Sequence, residues 1–296
     1  MPKQQIKHYF LKKYIFIIAI VLIIVFINIS SSYLAYACTI WAVSGSRVEG
    51  GGLLIAKNRD WVPNNHTSIR FVKQINRYSY IGLFSKGGKV PGLKAGVNEK
   101  GLVVIGATAS CILNRSRYKY KKNLYSSLLK TTATVDEALR KKSWFYGPRF
   151  LIIADKQKIA LIEIGTNRIS NARVYHNSYA FHTNHYLESH LQKFNFHVSP
   201  SSRVRLDRIE KLLKTQSTIF TTQDFIRISE DRNAGADNSI WREGSNPRKT
   251  RTLAAFIVSI TPDGKINIYI KTANPGEQPK VHNINANDVF SGRVRV

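Results

Sequence analysis

The residues able to do chemistry begin with Cys38, in the stretch "YLAYACTIWAVSG". If the chain is cut after Ala37, Cys38 carries a free α-amine beside its thiol, and one residue holds both nucleophile and base. A thiol has a pKa of about 8.5 and an α-amine one of about 7.7–8.0, so near neutral pH the amine can take the thiol proton through water. The thiolate then attacks a carbonyl, and the same amine protonates the leaving nitrogen. Such a site also needs a carboxylate to orient the amine, cations to favour the thiolate, and donors for the oxyanion. The rival use of Cys38 is a disulfide with Cys111, the other cysteine of the chain. An oxidising compartment invites that bond, though spacing alone fixes no pairing.

What precedes Cys38 has the layout of an export signal. Lys3, Lys7, Lys12 and Lys13 make a basic start, Tyr14 to Ile29 an uncharged apolar core, and Ala35 and Ala37 a small-x-small cleavage pattern. Residues 1–37 are therefore expected to be a signal peptide removed before Cys38. Two alternatives stay open. The apolar run is slightly shorter than the ~20 residues of a membrane-spanning helix, but it could continue past Ser30–Ser32 as an uncleaved anchor. A lipoprotein signal would also put a cysteine at the cut, although Ala35 and Tyr36 fit that pattern poorly.

Cleavage leaves 296 − 37 = 259 residues, enough for one substantial core, and no repeat or linker divides them. The chain is strongly basic, with 45 Lys+Arg against 18 Asp+Glu. Such charge draws anionic substrates or surfaces, and an anionic membrane is a candidate partner. Nucleic acid is not expected as a partner, because the charge is dispersed and no helix-turn-helix, zinc finger or aromatic RNA-binding motif accompanies it. The sequons at Asn65 and Asn114 would matter only in a eukaryotic secretory pathway.

The elements that must position Cys38 read as strands on either side of a helical middle. "CTIWAVSG", a glycine turn and "LLIAKNRDW" form strand, turn, strand; "SIRFVKQI" and "YSYIGLFS" form a hairpin; "GVNEKGLVVIGAT" joins a turn to an apolar strand. "NLYSSLLKT" and "TVDEALRKK" predict helices, the second with a capping box from Thr134 to Glu137. "RFLIIAD", "KIALIEIG" and "ARVYH" return to strands. "SSRVRLDRIEKLLKT" sets Ile209, Leu212 and Leu213 on one helical face, and "RTLAAFIVSI" and "KINIYIK" flank the turn "TPDG". The pattern implies a layered α+β domain over 38–296 with largely antiparallel sheets.

"CTIWAVSG", "GGLLIAKNRDW", "GVNEKGLVV", "FHTNHY" and "SSRVRLDRI" occur in the order seen in N-terminal-nucleophile hydrolases. Almost all of the chain after Ala37 resembles the choloylglycine hydrolase, penicillin V acylase and acyl-CoA:6-aminopenicillanic acid acyltransferase type. The resemblance implies a four-layer αββα sandwich and hydrolysis of linear, non-peptide amides, with acyl transfer as the sister reaction. Substrates of the type include conjugated bile salts, penicillin V, acyl homoserine lactones and N-acyl amines; no cofactor or metal is implied. By the same resemblance Cys38 is the nucleophile, Asp60 holds its amine, Asn184 serves the oxyanion hole, and Arg203 is the arginine near the nucleophile. Asn98 is a candidate for the pocket wall.

One position departs from the type. Relatives commonly carry arginine three residues before the aspartate, whereas Lys57 stands there and Arg59 adjoins Asp60. On a strand Lys57 and Arg59 share one face and Asn58 and Asp60 the other. If Asp60 points into the site, Asn58 is expected to join it, with Arg59 the weaker candidate for substrate contact.

Each assignment has a plainer rival. Asp60 could cap a turn before Trp61, and Arg203 and Arg205 could be solvated charges at a helix start. His182 and His185 lack a third ligand for a metal. A tethered, non-catalytic envelope protein of this fold would also satisfy the charge and the apolar segment. Oligomeric state is not legible in the sequence. Selectivity is expected in loops such as "FSKGGKVPG" and "YKYKKN".

Overall fold

Strands β1 (Cys38–Ser44) and β2 (Leu53–Trp61) are buried at every position, so both faces of their sheet are covered. Their side chains alternate between two apolar clusters, as the two-residue repeat of a strand requires. Cys38, Ile40, Ala42, Leu53 and Ile55 enter one; Trp41, Val43, Leu54 and Ala56 enter the other.

The computed structural model describes residues 37–87, 91–215 and 218–295. Apart from Ala37, the expected export or anchor segment lies outside the described residues, as does part of the "FSKGGKVPG" loop. The other strands are β3 (His66–Val72), β4 (Tyr80–Lys86), β5 (Gly92–Asn98), β6 (Val103–Thr108), β7 (Arg149–Ala154) and β8 (Ile159–Ile164). They continue with β9 (Ser170–Tyr175), β10 (Tyr179–His182), β11 (Arg251–Ile260), β12 (Ile266–Thr272) and β13 (Lys280–Asn285). The helices are α1 (Leu124–Thr131), α2 (Val135–Arg140), α3 (Pro200–Thr215), α4 (Thr222–Ser229), α5 (Gly235–Asn238) and α6 (Ala286–Phe290). One sheet runs β10-β1-β2-β11-β12-β13 and the other β3 through β9 in chain order. Every ladder within them is antiparallel.

The clusters define four layers. Between the sheets, Ile40 and Phe256 of the first pack with Ile81, Ile105 and Phe150 of the second. Outside the second sheet, Leu124, Leu128 and Val135 of α1 and α2 cover Val104 and Leu151. Outside the first, Ile209, Leu213 and Phe225 of α3 and α4 cover Trp41 and Leu54. Full burial of one such side chain contributes about 1.5–3 kcal/mol. The result is the α+β, αββα sandwich with antiparallel sheets.

Local signals hold with instructive shifts. The Thr134 hydroxyl accepts from the Glu137 amide at 3.2 Å, but the Glu137 carboxylate accepts from Ala133, one residue earlier than a reciprocal box requires. The full box belongs to α4, where Thr221 and Asp224 cap each other's amides; the sequence reading passed over that helix. It also passed over β10, four residues too short to show alternation. Pairing with β1, Ile40 opposite His182, makes it a strand.

Candidate active site

Cys38 is the first residue of β1 and lies opposite Arg59 in the β1–β2 ladder. Its thiol faces the space between the sheets, where it lines a cavity of about 580 Å³. The parity of β2 follows. Lys57 and Arg59 line the cavity with Cys38, while Asn58 and Asp60 point to the helical side.

The backbone of Cys38 is held by two buried side chains. Its N–H donates to Asn184 Oδ1 at 3.2 Å. Arg205 Nη1 donates to the Cys38 carbonyl at 2.9 Å and to the Thr39 hydroxyl at 2.8 Å, and Nη2 to Asn184 Oδ1 at 2.8 Å. Two donors on Oδ1 fix the Asn184 amide, and its Nδ2 donates to the Thr108 carbonyl at 2.9 Å. The Asn184 N–H donates to Ser202 Oγ at 3.0 Å, tying this segment to the start of α3.

That network revises the choice of arginine. Arg203 is exposed, and Arg205 is the arginine that holds Cys38. The cause is helical phase: Ser201, Arg205, Ile209 and Leu212 recur at i+4 and i+3 spacing on the buried face of α3. Burial lowers the Arg205 guanidinium to about 10, and the nearby charge of Asp60 opposes that fall.

Asp60 is fully buried. Its Oδ1 accepts from the Thr252 hydroxyl at 2.8 Å, its Oδ2 lies 3.9 Å from Arg242 Nη1, and its N–H donates to the Ala37 carbonyl at 3.2 Å. Oδ2 has no hydrogen-bond partner among the described residues. Burial raises the Asp60 pKa, and the charges of Arg205 and Arg242 oppose the rise.

The expected substrate contacts divide differently from the sequence reading. Asn58 does share a face with Asp60, but its Nδ2 donates to the carbonyls of Ser229 and Ile240 at 2.7 and 2.9 Å; it fastens helical segments to β2 and does not line the cavity. Asn98 is likewise structural. Its Nδ2 donates to Leu129 and Thr132 carbonyls, and its Oδ1 accepts from Lys100 and Leu102 amides, closing the turn after β5. Arg59 is the one of the three that lines the cavity. It donates to Thr67 Oγ1, Asn65 Oδ1 and Ser85 Oγ, and burial lowers its pKa to about 10.

His182 and His185 are spoken for within the fold. His182 Nε2 lies 3.1 Å from Glu163 Oε1, with the Phe150 ring tilted against the imidazole at a centroid distance of 4.1 Å. His185 Nδ1 shares the Ser202 hydroxyl at 2.8 Å, and burial lowers its pKa to about 4, so at neutral pH it is uncharged. Both thiols are free, which replaces the disulfide alternative. Burial pushes the Cys111 thiol up to about 12.

Several cavity residues escaped the sequence reading. Lys94 and Arg149 line it with Trp61, Tyr80 and Tyr125. Gly106 lies where a Cβ would come within 2.1 Å of the Tyr125 hydroxyl, and its carbonyl accepts from Lys57 Nζ. Isolated basic residues on strands in a chain this basic carry no signal of their own; only the sheet register brings them together.

A sequence model described as acyl-coenzyme A:6-aminopenicillanic acid acyl-transferase matches residues 47–275; Cys38 precedes the matched span. No curated protein is significantly similar in sequence. Two crystal structures of conjugated bile acid hydrolase from Clostridium perfringens, both of altered sequence, share the fold. Each has a TM-score of 0.52 and covers 85% of this chain and 93% of its own, at 14% and 15% identity.

Proposed function

The chain belongs to the acyl-coenzyme A:6-aminopenicillanic acid acyl-transferase family, and on that premise we propose that it is exported and cleaves linear, non-peptide amides through an acyl-enzyme on Cys38. The observation that carries the proposal is the placement of Cys38. Its thiol lines the cavity, while Asn184 and Arg205 hold its own N–H and carbonyl.

With the bond to Ala37 cut, the Cys38 nitrogen is an amine that takes the thiol proton. The thiolate forms a C–S bond to the substrate carbonyl carbon, whose π electrons move onto oxygen. Collapse of that intermediate breaks the C–N bond, and the ammonium of Cys38 gives its proton to the departing nitrogen. Water then attacks the thioester, losing a proton to the amine, and the acid leaves as the thiol is restored. Asp60 supports the amine as the buried carboxylate next along β2, its Oδ2 having no hydrogen-bond partner among the described residues. Lys57 and Arg59 set positive charge beside Cys38 in the cavity wall. Asn184 serves the oxyanion through the second N–H of its Nδ2, the first donating to the Thr108 carbonyl.

The test is intact mass and N-terminal sequencing, followed by incubation with acylated small molecules. A chain starting at Cys38 should form an acyl adduct and release amine, and Cys38→Ala should do neither. An active chain with residue 37 still attached would overturn the mechanism, because it lacks the base.

The family's description favours acyl transfer as the second outcome of the same intermediate. An added amine competing with water for the thioester would yield a new amide. Its share of product should rise with amine concentration while total acyl-enzyme turnover follows Cys38.

A further inference from the structure

Three exposed apolar side chains gather at one end of the second sheet. The register defines that end: Thr108 lies opposite Arg149, Arg149 opposite Ile164, and Ile164 opposite Ser170. The chain leaves it through segment 109–123, turns at it over 165–169, and passes beside it again at 189–197. These segments are joined. The His197 N–H donates to the Cys111 carbonyl at 3.0 Å, and the Lys121 N–H to the Tyr146 carbonyl at 3.4 Å. The Arg168 guanidinium lies 5.1 Å from the centre of the Tyr146 ring. A Cβ on Gly165 would come within 2.7 Å of the Phe194 ring. Leu113, Ile169 and Phe196, one from each segment, are 44%, 37% and 61% exposed.

Around them the charge has one sign. Arg117, Lys119, Lys122, Arg168 and Lys193 are exposed on the same three segments, and those segments contain no aspartate or glutamate. Solvation alone accounts for a scattered apolar side chain or a lone lysine. Apolar tips ringed by lysine and arginine instead match an anionic lipid surface, whose headgroups attract the cations while the tips enter the layer beneath. Segment 109–123 also supplies Arg115, Tyr120 and Asn123 to the wall of the cavity beside Cys38. Rim and cavity therefore share a loop.

We propose that this rim docks on an anionic bilayer, with Leu113, Ile169 and Phe196 in the headgroup region and one wall of the cavity held beside it. The docking goes beyond the amide chemistry and does not depend on Cys38 being the nucleophile. It assigns the excess of positive charge a direction, since the rim faces the membrane.

The test mixes the protein, as recovered from its host, with vesicles of phosphatidylcholine alone or of phosphatidylcholine and phosphatidylglycerol in equal parts. Backbone hydrogen exchange is followed peptide by peptide. Segments 109–123, 165–169 and 189–197 should slow with the anionic vesicles and not with the neutral ones. The β3–β4 turn at the opposite end of the sheet, which carries the exposed Ile75, should not change. In vesicle sedimentation, Lys119→Gln combined with Lys122→Gln should weaken partition about twenty-five-fold, at about fivefold for each surface cation. Phe196→Ser should weaken it at least about tenfold, Ile75→Ser should not, and added salt should loosen the parent. Retention of the apolar segment before Cys38 would hold the chain on both kinds of vesicle, and the exchange pattern still reports on the rim. Cys38→Ala should bind as the parent does, so loss of turnover and loss of docking are read separately. Equal exchange with both vesicles, or protection centred on another surface, overturns the inference. Slowing of the same segments without vesicles as protein concentration rises would give the rim to a second copy of the chain and overturn it as well.

Discussion

The guanidinium of Arg205 and the side-chain carbonyl of Asn184 meet at 2.8 Å, and each also holds the backbone of Cys38. A helix, a post-strand turn and the first strand thereby converge on one residue. Arg205 comes from α3, Asn184 from the turn after β10, and neither can move without moving the other.

The first prediction follows from that triangle. Arg205→Ala leaves the Cys38 carbonyl, the Thr39 hydroxyl and the Asn184 carbonyl short of a donor and leaves Asp60 with one compensating charge fewer. The loss should be about 3–5 kcal/mol in urea unfolding, as for other broken buried charge networks, with amide cleavage abolished. Arg203→Ala, on the exposed side of the same helix, should stay within about 0.5 kcal/mol of the parent and keep its turnover. Equal damage from both would mean that the helical phase described for α3 is wrong.

Glu163 acts through the same turn from the other side. Its carboxylate lies 3.1 Å from His182 Nε2 and accepts from the amides of Leu187 and Glu188, pinning the segment that carries Asn184. Glu163→Gln keeps the shape but replaces one acceptor oxygen with a donor. Turnover should fall about tenfold with KM little changed, since the substrate pocket lies elsewhere. Glu163→Asp, which restores charge at shorter reach, should recover part of it. A KM effect without a kcat effect would place Glu163 outside the positioning chain.

How far the sequence foretold this site depends on what each residue's signal consists of. Cys38, Asp60 and Asn184 stand out in the sequence because each sits in a short motif whose order along the chain resembles that of the family; of the three, the structure joins Cys38 to Asn184. The strand parity of Lys57 to Asp60 was also legible, but not which face met the cavity. That is decided by the second sheet, whose packing on Cys38, Ile40 and Ile55 no local pattern announces. Arg203 and Arg205 sit one turn into the same helix, and choosing between them required the rotation of α3 against β1. Asn98 is a site candidate by the family segment it lies in and Asn58 by sharing a strand face with Asp60, yet both donate to backbone carbonyls.

Lys94 gives a pH prediction with a definite sign. Its ordinary value is 10.5 and its folded value about 7, so between those values the unfolded chain binds a proton there that the folded chain does not. Stability therefore rises with pH across that window, and the full penalty of the charged amine is present below about 7. The groups that depress it are burial, Arg59 and Lys57 on β2, and Arg149 on β7; Cys38 on β1 opposes them. Lys94→Met should flatten the rise in urea midpoint between pH 7 and pH 9.5. An unchanged slope would show that Lys94 keeps its ordinary affinity for protons.

The two thiols should separate cleanly under alkylation. Both are buried by area, but Cys38 opens onto the cavity beside Lys57 and Arg59, whereas Cys111 sits among Tyr186 and the inter-sheet core with its thiol pushed up to about 12. Reactivity follows the thiolate fraction and access. Iodoacetamide at neutral pH should therefore label one cysteine in the folded protein and two in urea, with peptide mapping placing the first on Cys38. Small anionic alkylators such as iodoacetate should gain on iodoacetamide relative to their ratio with a free thiol, because five cations line the approach. Added salt should erase that gain within about one Debye length of screening. Labelling of Cys111 first, or no anionic preference at low salt, would contradict both the exposure of Cys38 to the cavity and the charge assigned to its walls.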